Sequence, residues 1–253
     1  MTSNNYEQPL TELNHNLQYL KLPFVAQNYE SMAKQAAIEQ LTHVQYLSLL
    51  IEGEAAQRRD RATQRRIGLA HFPVIKTLDQ FSWTWPKKIN RLQVQNLFRF
   101  NFIKDKANVI FLGTVGLGKT HLATALGYTA CLKGHNVLFT TAVDVINALG
   151  GAQKAGRLQA ELKKYLKPSV LILDELGYLP IDKVGADLLF QIISHRYEKG
   201  SMIISSNRAF KEWPEMFNND STLTSAILDR LLHHAEVVLI EGPSYRMKDR
   251  IDY

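Results

Sequence analysis

Cysteine is nearly missing: among 253 residues only Cys131 is one. No intramolecular disulfide can form, which suits a reducing cytoplasm and leaves Cys131 as a small apolar residue on a helix. Long apolar runs are missing too. No stretch approaches the roughly 20 residues that cross a bilayer, and Met1 to Pro9 is polar, unlike a signal peptide. A cytoplasmic protein without membrane contact is expected. Acids are in deficit, 24 against 30 lysines and arginines, for a net charge of +6. That leans only mildly towards a polyanionic partner, so the position of the charge matters more than its sum. There is no internal repeat, no low-complexity segment and, outside one site, no carboxylate cluster that could cut or join DNA.

What is present is the stretch from Asn108 to Thr120, in which Gly113, Gly118, Lys119 and Thr120 fill G-x-x-x-x-G-K-[ST]. Glycines let backbone N–H groups turn onto a β-phosphate where a Cβ would crowd it. Lys119 supplies a cation, the Thr120 hydroxyl a ligand for Mg²⁺, and the helix that starts here its partial positive charge. The expected nucleotide site is Gly113, Thr114, Val115, Gly116, Leu117, Gly118, Lys119, Thr120 and His121. An apolar run from Val109 to Leu112 precedes it and helical composition from His121 to Leu132 follows, the strand–loop–helix context that the motif requires.

A second run, Val170 to Leu173, ends in Asp174 and Glu175 about fifty residues later. Paired with the phosphate loop, Asp174 is expected to hold Mg²⁺ through water and Glu175 to orient or deprotonate the attacking water. The run from Met202 ends at Asn207, whose amide either holds that water or begins a turn.

Strands are expected at Val109–Leu112, Val137–Thr140, Val170–Leu173, Met202–Ser205 and Val237–Ile240. Helices separate them, at His121–Leu132, Asp144–Leu149 with Leu158–Leu166, and Gly185–Tyr197. That alternation argues for a doubly wound α/β domain over 91–253. Residues 1–68 read as helical. Thr42 is a plausible N-cap for a helix with an apolar stripe of Val44, Leu47, Leu50 and Ile51. Residues 69–90 read as a linker, in which Phe81, Trp83 and Trp85 either pack onto the next domain or line an adenine pocket.

Arginine is concentrated at the end of the helical region. Arg58, Arg61 and Arg65 fall on one stripe with Arg59 and Arg66 beside it, interrupted by a single acid, Asp60. This is either a solvated face or a phosphate-tracking surface. Lys154, Arg157, Lys163 and Lys164 form a second basic group, open to the same two readings.

Several stretches resemble the IstB family, AAA+ ATPase helpers of insertion-sequence transposases related to DnaC-type helicase loaders and DnaA-type initiators. They are Gly113 to Ala123, Leu171 to Tyr178, Ser205 to Asn207, Leu228 to His234 and Gly242 to Arg246. The resemblance extends over essentially the whole chain. It implies an AAA+ P-loop fold with a five-stranded parallel sheet between helices, lacking a full C-terminal lid and preceded by a small all-helical domain. It implies an ATPase with ATP and Mg²⁺, catalytic Glu175, a sensor at Asn207 and an arginine finger at Arg230. Without it, Arg230 reads as a surface residue on an amphipathic helix. Arg246 resembles a second nucleotide sensor, although only seven residues follow it, too few for the lid that usually carries it. Asp144 to Leu166 resembles the helical insertion that initiators turn towards nucleic acid. The implied partners are double-stranded DNA read without regard to sequence, a cognate transposase and further copies of the chain sharing active sites. The alternative is a DnaC-like helicase loader.

Overall fold

Apolar spacing over the first 65 residues produces three helices: α1 (Asn4–Tyr19), α2 (Pro23–Ile38) and α3 (His43–Leu69). The computed structural model describes residues 4–250, and the chain divides into two units, 1–65 and 66–253. Thr42 caps α3 as expected: its hydroxyl accepts from Gln45 N at 3.3 Å while the Gln45 side chain accepts from Thr42 N at 2.8 Å. The expected apolar stripe is only partly buried. Leu50 joins Leu17 and Val25 in a small core, whereas Val44, Leu47 and Ile51 are exposed. The packing face of α3 runs through Tyr46, Leu50 and Glu54 at steps of four, and a turn of 100° per residue carries the others off it.

The second unit holds α4 (Arg91–Leu97), α5 (Asn101–Lys104), β1 (Asn108–Leu112), α6 (Lys119–Leu132), β2 (Val137–Thr141), α7 (Ala142–Lys154), α8 (Leu158–Leu166) and β3 (Val170–Leu176). It continues through α9 (Lys183–Arg196), β4 (Ser201–Ser206), α10 (Trp213–Met216), α11 (Ser221–Leu232) and β5 (Ala235–Leu239). Every expected strand forms, with β5 beginning two residues early and β3 running three further. Helix α7 is capped by Thr141, which accepts from Asp144 N at 3.1 Å, and runs on through Gly150 and Gly151 with Ala152 buried beyond them. Cys131 is buried on α6, and burial pushes its thiol up to about 11.

All five strands are parallel, in the order β2-β3-β4-β1-β5. Side chains alternate between two apolar layers. Val109 and Phe111 face the layer containing α6, and Ile110 and Leu112 face the one built by α7, α8, α9 and α11. The order puts β4 between β1 and β3, so the loops leaving these three strands share one edge of the sheet.

The stretch 69–90 packs within the second unit: Ala70 and Phe81 are buried, and the Ala70 carbonyl accepts from Phe139 N at 2.7 Å. Arg196 is buried, with no carboxylate partner among the described residues. It donates to the carbonyls of Tyr165, Pro168, Ser169 and Ser201 at 2.7–3.2 Å, tying the ends of α8 and α9 to the starts of β3 and β4. Burial lowers its pKa to about 10, still charged at neutral pH.

Candidate nucleotide site

The loop between β1 and α6 curls as its glycines predict. Gly118 has φ +85°, and a Cβ there would lie 2.7 Å from the Phe81 ring. Lys119 Nζ reaches back over the loop to donate to the Thr114 carbonyl at 2.8 Å. Burial holds this ammonium below its ordinary range; the Asp174 and Glu175 carboxylates oppose that shift and Arg246 adds to it. Thr120 Oγ1 donates to Asp174 Oδ1 at 3.1 Å, so a hydroxyl and a carboxylate sit together at the start of α6. Two hard oxygen donors of this kind suit Mg²⁺.

Most of the expected nucleotide residues line one cavity of about 640 Å³, whereas Gly113, Thr114 and Asp174 lie outside its wall. Its wall includes Val115 to His121, Glu175, Asn207 and Arg246. Asn207 Oδ1 is buried with no hydrogen-bond partner among the described residues, an acceptor that a water or hydroxyl in the cavity would satisfy. Opposite the phosphate loop, Pro73, Val74, Lys76, Phe81 and Trp85 complete the wall. Phe81 is buried in the unit, and both Phe81 and Trp85 border the cavity. Pro73, Val74 and Lys76 carried no motif and were missed; only their closeness to the aromatic run could have pointed to them.

Arg246 reaches the cavity from the tail segment after β5. Tyr245 N donates to the Gly116 carbonyl at 2.9 Å, Trp85 Nε1 donates to the Pro243 carbonyl at 2.9 Å, and Trp85 meets the Tyr245 ring edge-on at 5.5 Å. Lys88 and Glu241 exchange backbone hydrogen bonds just behind. This strap fixes the tail directly onto the phosphate loop.

Arg230 lies elsewhere. It borders a small cleft that includes Asn108, the first residue of β1, and Asn108 Nδ2 donates to the neighbouring Leu231 carbonyl at 3.0 Å. The phosphate loop leaves the other end of β1, five residues or roughly 16 Å away. The Arg230 guanidinium rests over the Phe190 ring at 4.9 Å and donates to the Ala226 carbonyl at 3.0 Å.

The basic residues divide. Arg59, Arg61 and Arg65 are exposed, as are Lys154, Arg157, Lys163 and Lys164, the last paired with Glu161 at 2.6 Å. Arg58 is committed within the fold, bonding Glu54 at 3.1 Å and the Leu20 and Lys21 carbonyls, and Arg66 donates to the Cys131 carbonyl at 3.1 Å. Of the five arginines in this run, these two bond within the protein and the other three are exposed.

Comparison with known proteins agrees with this geometry. The family described as IstB-like ATP binding protein matches residues 15–252. The chain is 39% identical over 231 residues to the ATP-binding protein of insertion sequence IS5376 from Geobacillus stearothermophilus, covering 91% of this chain and 92% of that one. It is 41% identical over 239 residues to the IS21 ATP-binding protein of Pseudomonas aeruginosa, covering 94% and 90%. Among solved structures it superposes on the DnaC helicase loader with a TM-score of 0.53 at 25% identity, covering 65% of this chain and 96% of that one. The second unit is therefore an AAA+ P-loop fold.

Proposed function

Because the chain belongs to the family of IstB-like ATP-binding proteins, we propose that it is an ATPase that assembles on double-stranded DNA and recruits or activates the transposase of an insertion sequence. The observation that carries the assembly is the place of Arg230, at the opposite edge of the sheet from its own phosphate loop. An arginine there serves the nucleotide of a neighbouring copy. The Phe190 ring presents it without a carboxylate partner among the described residues.

Within one site the roles follow from position. Backbone amides of residues 113–118 and Lys119 bind the phosphates, and Thr120 with Asp174 would hold Mg²⁺, which would supply positive charge to offset that of the phosphates. Glu175 takes the proton of the attacking water, and Asn207 Oδ1 accepts the water's other hydrogen. Arg246 contacts the nucleotide from the strap. The neighbour's Arg230 stabilises charge on the transferring phosphoryl group, a contribution of ~10³–10⁵ in other nucleotide hydrolases. The exposed Arg59, Arg61 and Arg65, and Lys154, Arg157, Lys163 and Lys164, supply backbone contacts to DNA that carry little sequence information.

The test is ATP turnover with and without double-stranded DNA, across a salt series, for the wild type and Arg230→Ala. DNA should raise turnover, the rise should fall steeply with salt, and Arg230→Ala should lose it while still binding ATP. Turnover indifferent to both DNA and Arg230 would overturn the assembly. The DnaC-like fold favours one second reading, a helicase loader. The insertion-sequence relatives match nearly the full chain and favour transposition; co-purification with a transposase or with a replicative helicase decides between them.

A further inference from the structure

Consecutive residues on a strand point to opposite faces of a sheet, yet Asp174 and Glu175 are both needed beside the phosphate loop. In β3, Val170 and Ile172 face the α6 layer while Leu171 and Leu173 face the other. Regular alternation would send Asp174 towards α6 and Glu175 away, beneath α7 and α9. The alternation breaks at this point, since Leu176 lies in the same layer as Leu171 and Leu173. The register shows the cause. Leu173 pairs with Ile204 and Leu176 with Ser206, so Asp174 and Glu175 together oppose the single residue Ser205. This is a bulge, and Glu175 absorbs it at φ 59°, a left-handed conformation that an L side chain holds only when its surroundings impose it.

We propose that Ser205 is the positioning residue that imposes it. The Ser205 hydroxyl accepts from Glu175 N–H at 3.1 Å and donates its proton to Asp174 Oδ1, so one group binds both halves of the bulge. Ser205 is buried on a central strand, which gives that group a rigid base. A second clasp comes from the same strand's continuation. Arg208 Nε donates to the Gly177 carbonyl at 2.9 Å, and its stem packs 3.3 Å from where a Gly177 Cβ would stand. The turn carrying Glu175 is thus held from β4 on both sides of Asn207. One strand sets the geometry of the base and of the amide that shares its water, and Ser205 acts on the reaction through Glu175.

This inference rests on the ATPase reading above, and its test separates the two. Turnover and ATP-analogue affinity are measured independently for Glu175→Gln, Ser205→Ala and Ser205→Thr. Glu175→Gln should abolish turnover and keep binding. Ser205→Ala should lower kcat by about ten- to a hundred-fold, as an ångström-scale misplacement of a catalytic group does, with affinity kept within about two-fold. Ser205→Thr keeps the hydroxyl and should restore kcat to within about three-fold of wild type. A Ser205→Ala enzyme with wild-type kcat, affinity falling in step with kcat, or a Thr variant as slow as the Ala variant would each overturn the role of Ser205. Undiminished turnover in Glu175→Gln would instead reject the ATPase reading beneath it.

Discussion

His121 Nε2 lies 2.8 Å from the Thr77 carbonyl oxygen, which can only accept, so this nitrogen carries the proton and donates it. The ring meets Phe81 edge-on at 5.5 Å, and Phe81 in turn packs against Gly118. Burial pulls the His121 pKa below its ordinary 6.5, with the Thr77 carbonyl opposing and Lys76 adding to the shift. The folded protein therefore binds this proton less readily than the unfolded chain. The resulting stability is present above about pH 6.5 and is lost as pH falls through the lowered folded value. Thermal melts between pH 7.5 and 5 should show a declining midpoint below 6.5, with a shallower decline in His121→Gln. The sequence placed His121 beside the phosphate loop through the motif. Its hydrogen-bond partner Thr77 is 44 residues earlier, and no local spacing announces such a pairing.

At the scale of elements, the corner between α1 and α2 shows a cap supplied from a distance. Helix α2 begins at Pro23, and Leu22 before it offers no capping side chain. Glu54, buried on α3, fills the role by accepting from Phe24 N at 2.9 Å and Val25 N at 3.4 Å. Arg58, one turn on, pairs with Glu54 and donates to Leu20 and Lys21 carbonyls after α1. Gly53 lets the Phe24 ring lie against the α3 backbone, since a Cβ there would overlap it at 2.0 Å. Glu54→Ala strands two amide donors and removes the carboxylate beside Arg58, and should cost the helical unit roughly 2–3 kcal/mol, read by denaturant unfolding. Arg58→Ala should likewise lower stability, an effect absent for Arg61→Ala. The arginine run was legible in the sequence, but which arginines are occupied depends on the carbonyls that folding brings beneath them.

For the whole molecule, the two basic groups make separable contributions to one electrostatic quantity. The excess of six positive charges is modest, so location decides the outcome. Double-stranded DNA of arbitrary sequence should bind with a log–log salt slope that shrinks by roughly 0.9 for each phosphate contact removed. Arg59→Ala with Arg61→Ala and Arg65→Ala, and separately Lys154→Ala with Arg157→Ala and Lys163→Ala, should each reduce the slope and weaken binding alike across unrelated duplexes. Fluorescence anisotropy over a salt series measures both. A slope unchanged in either triple variant would remove that group from the interface. Among the described residues no helix is long and apolar enough to cross a membrane, in keeping with the short apolar runs.

The sequence by itself determined the strands, the phosphate loop, the Asp174–Glu175 pair and the position of Asn207. Each is written in local terms: apolar runs of strand length, glycines where a backbone must approach an anion, and polar residues at strand ends. Strand order is not local. Placing β4 between β1 and β3 is what carries Asn207 to the phosphate loop, and it depends on how covered faces pack. The bulge that sets Asp174 and Glu175 together against Ser205, the tail strap under Arg246 and the removal of Arg230 to the far edge belong to the tertiary structure alone. They arise where one segment meets another across tens or hundreds of residues, and hydrogen bonds of that range leave no period in the chain.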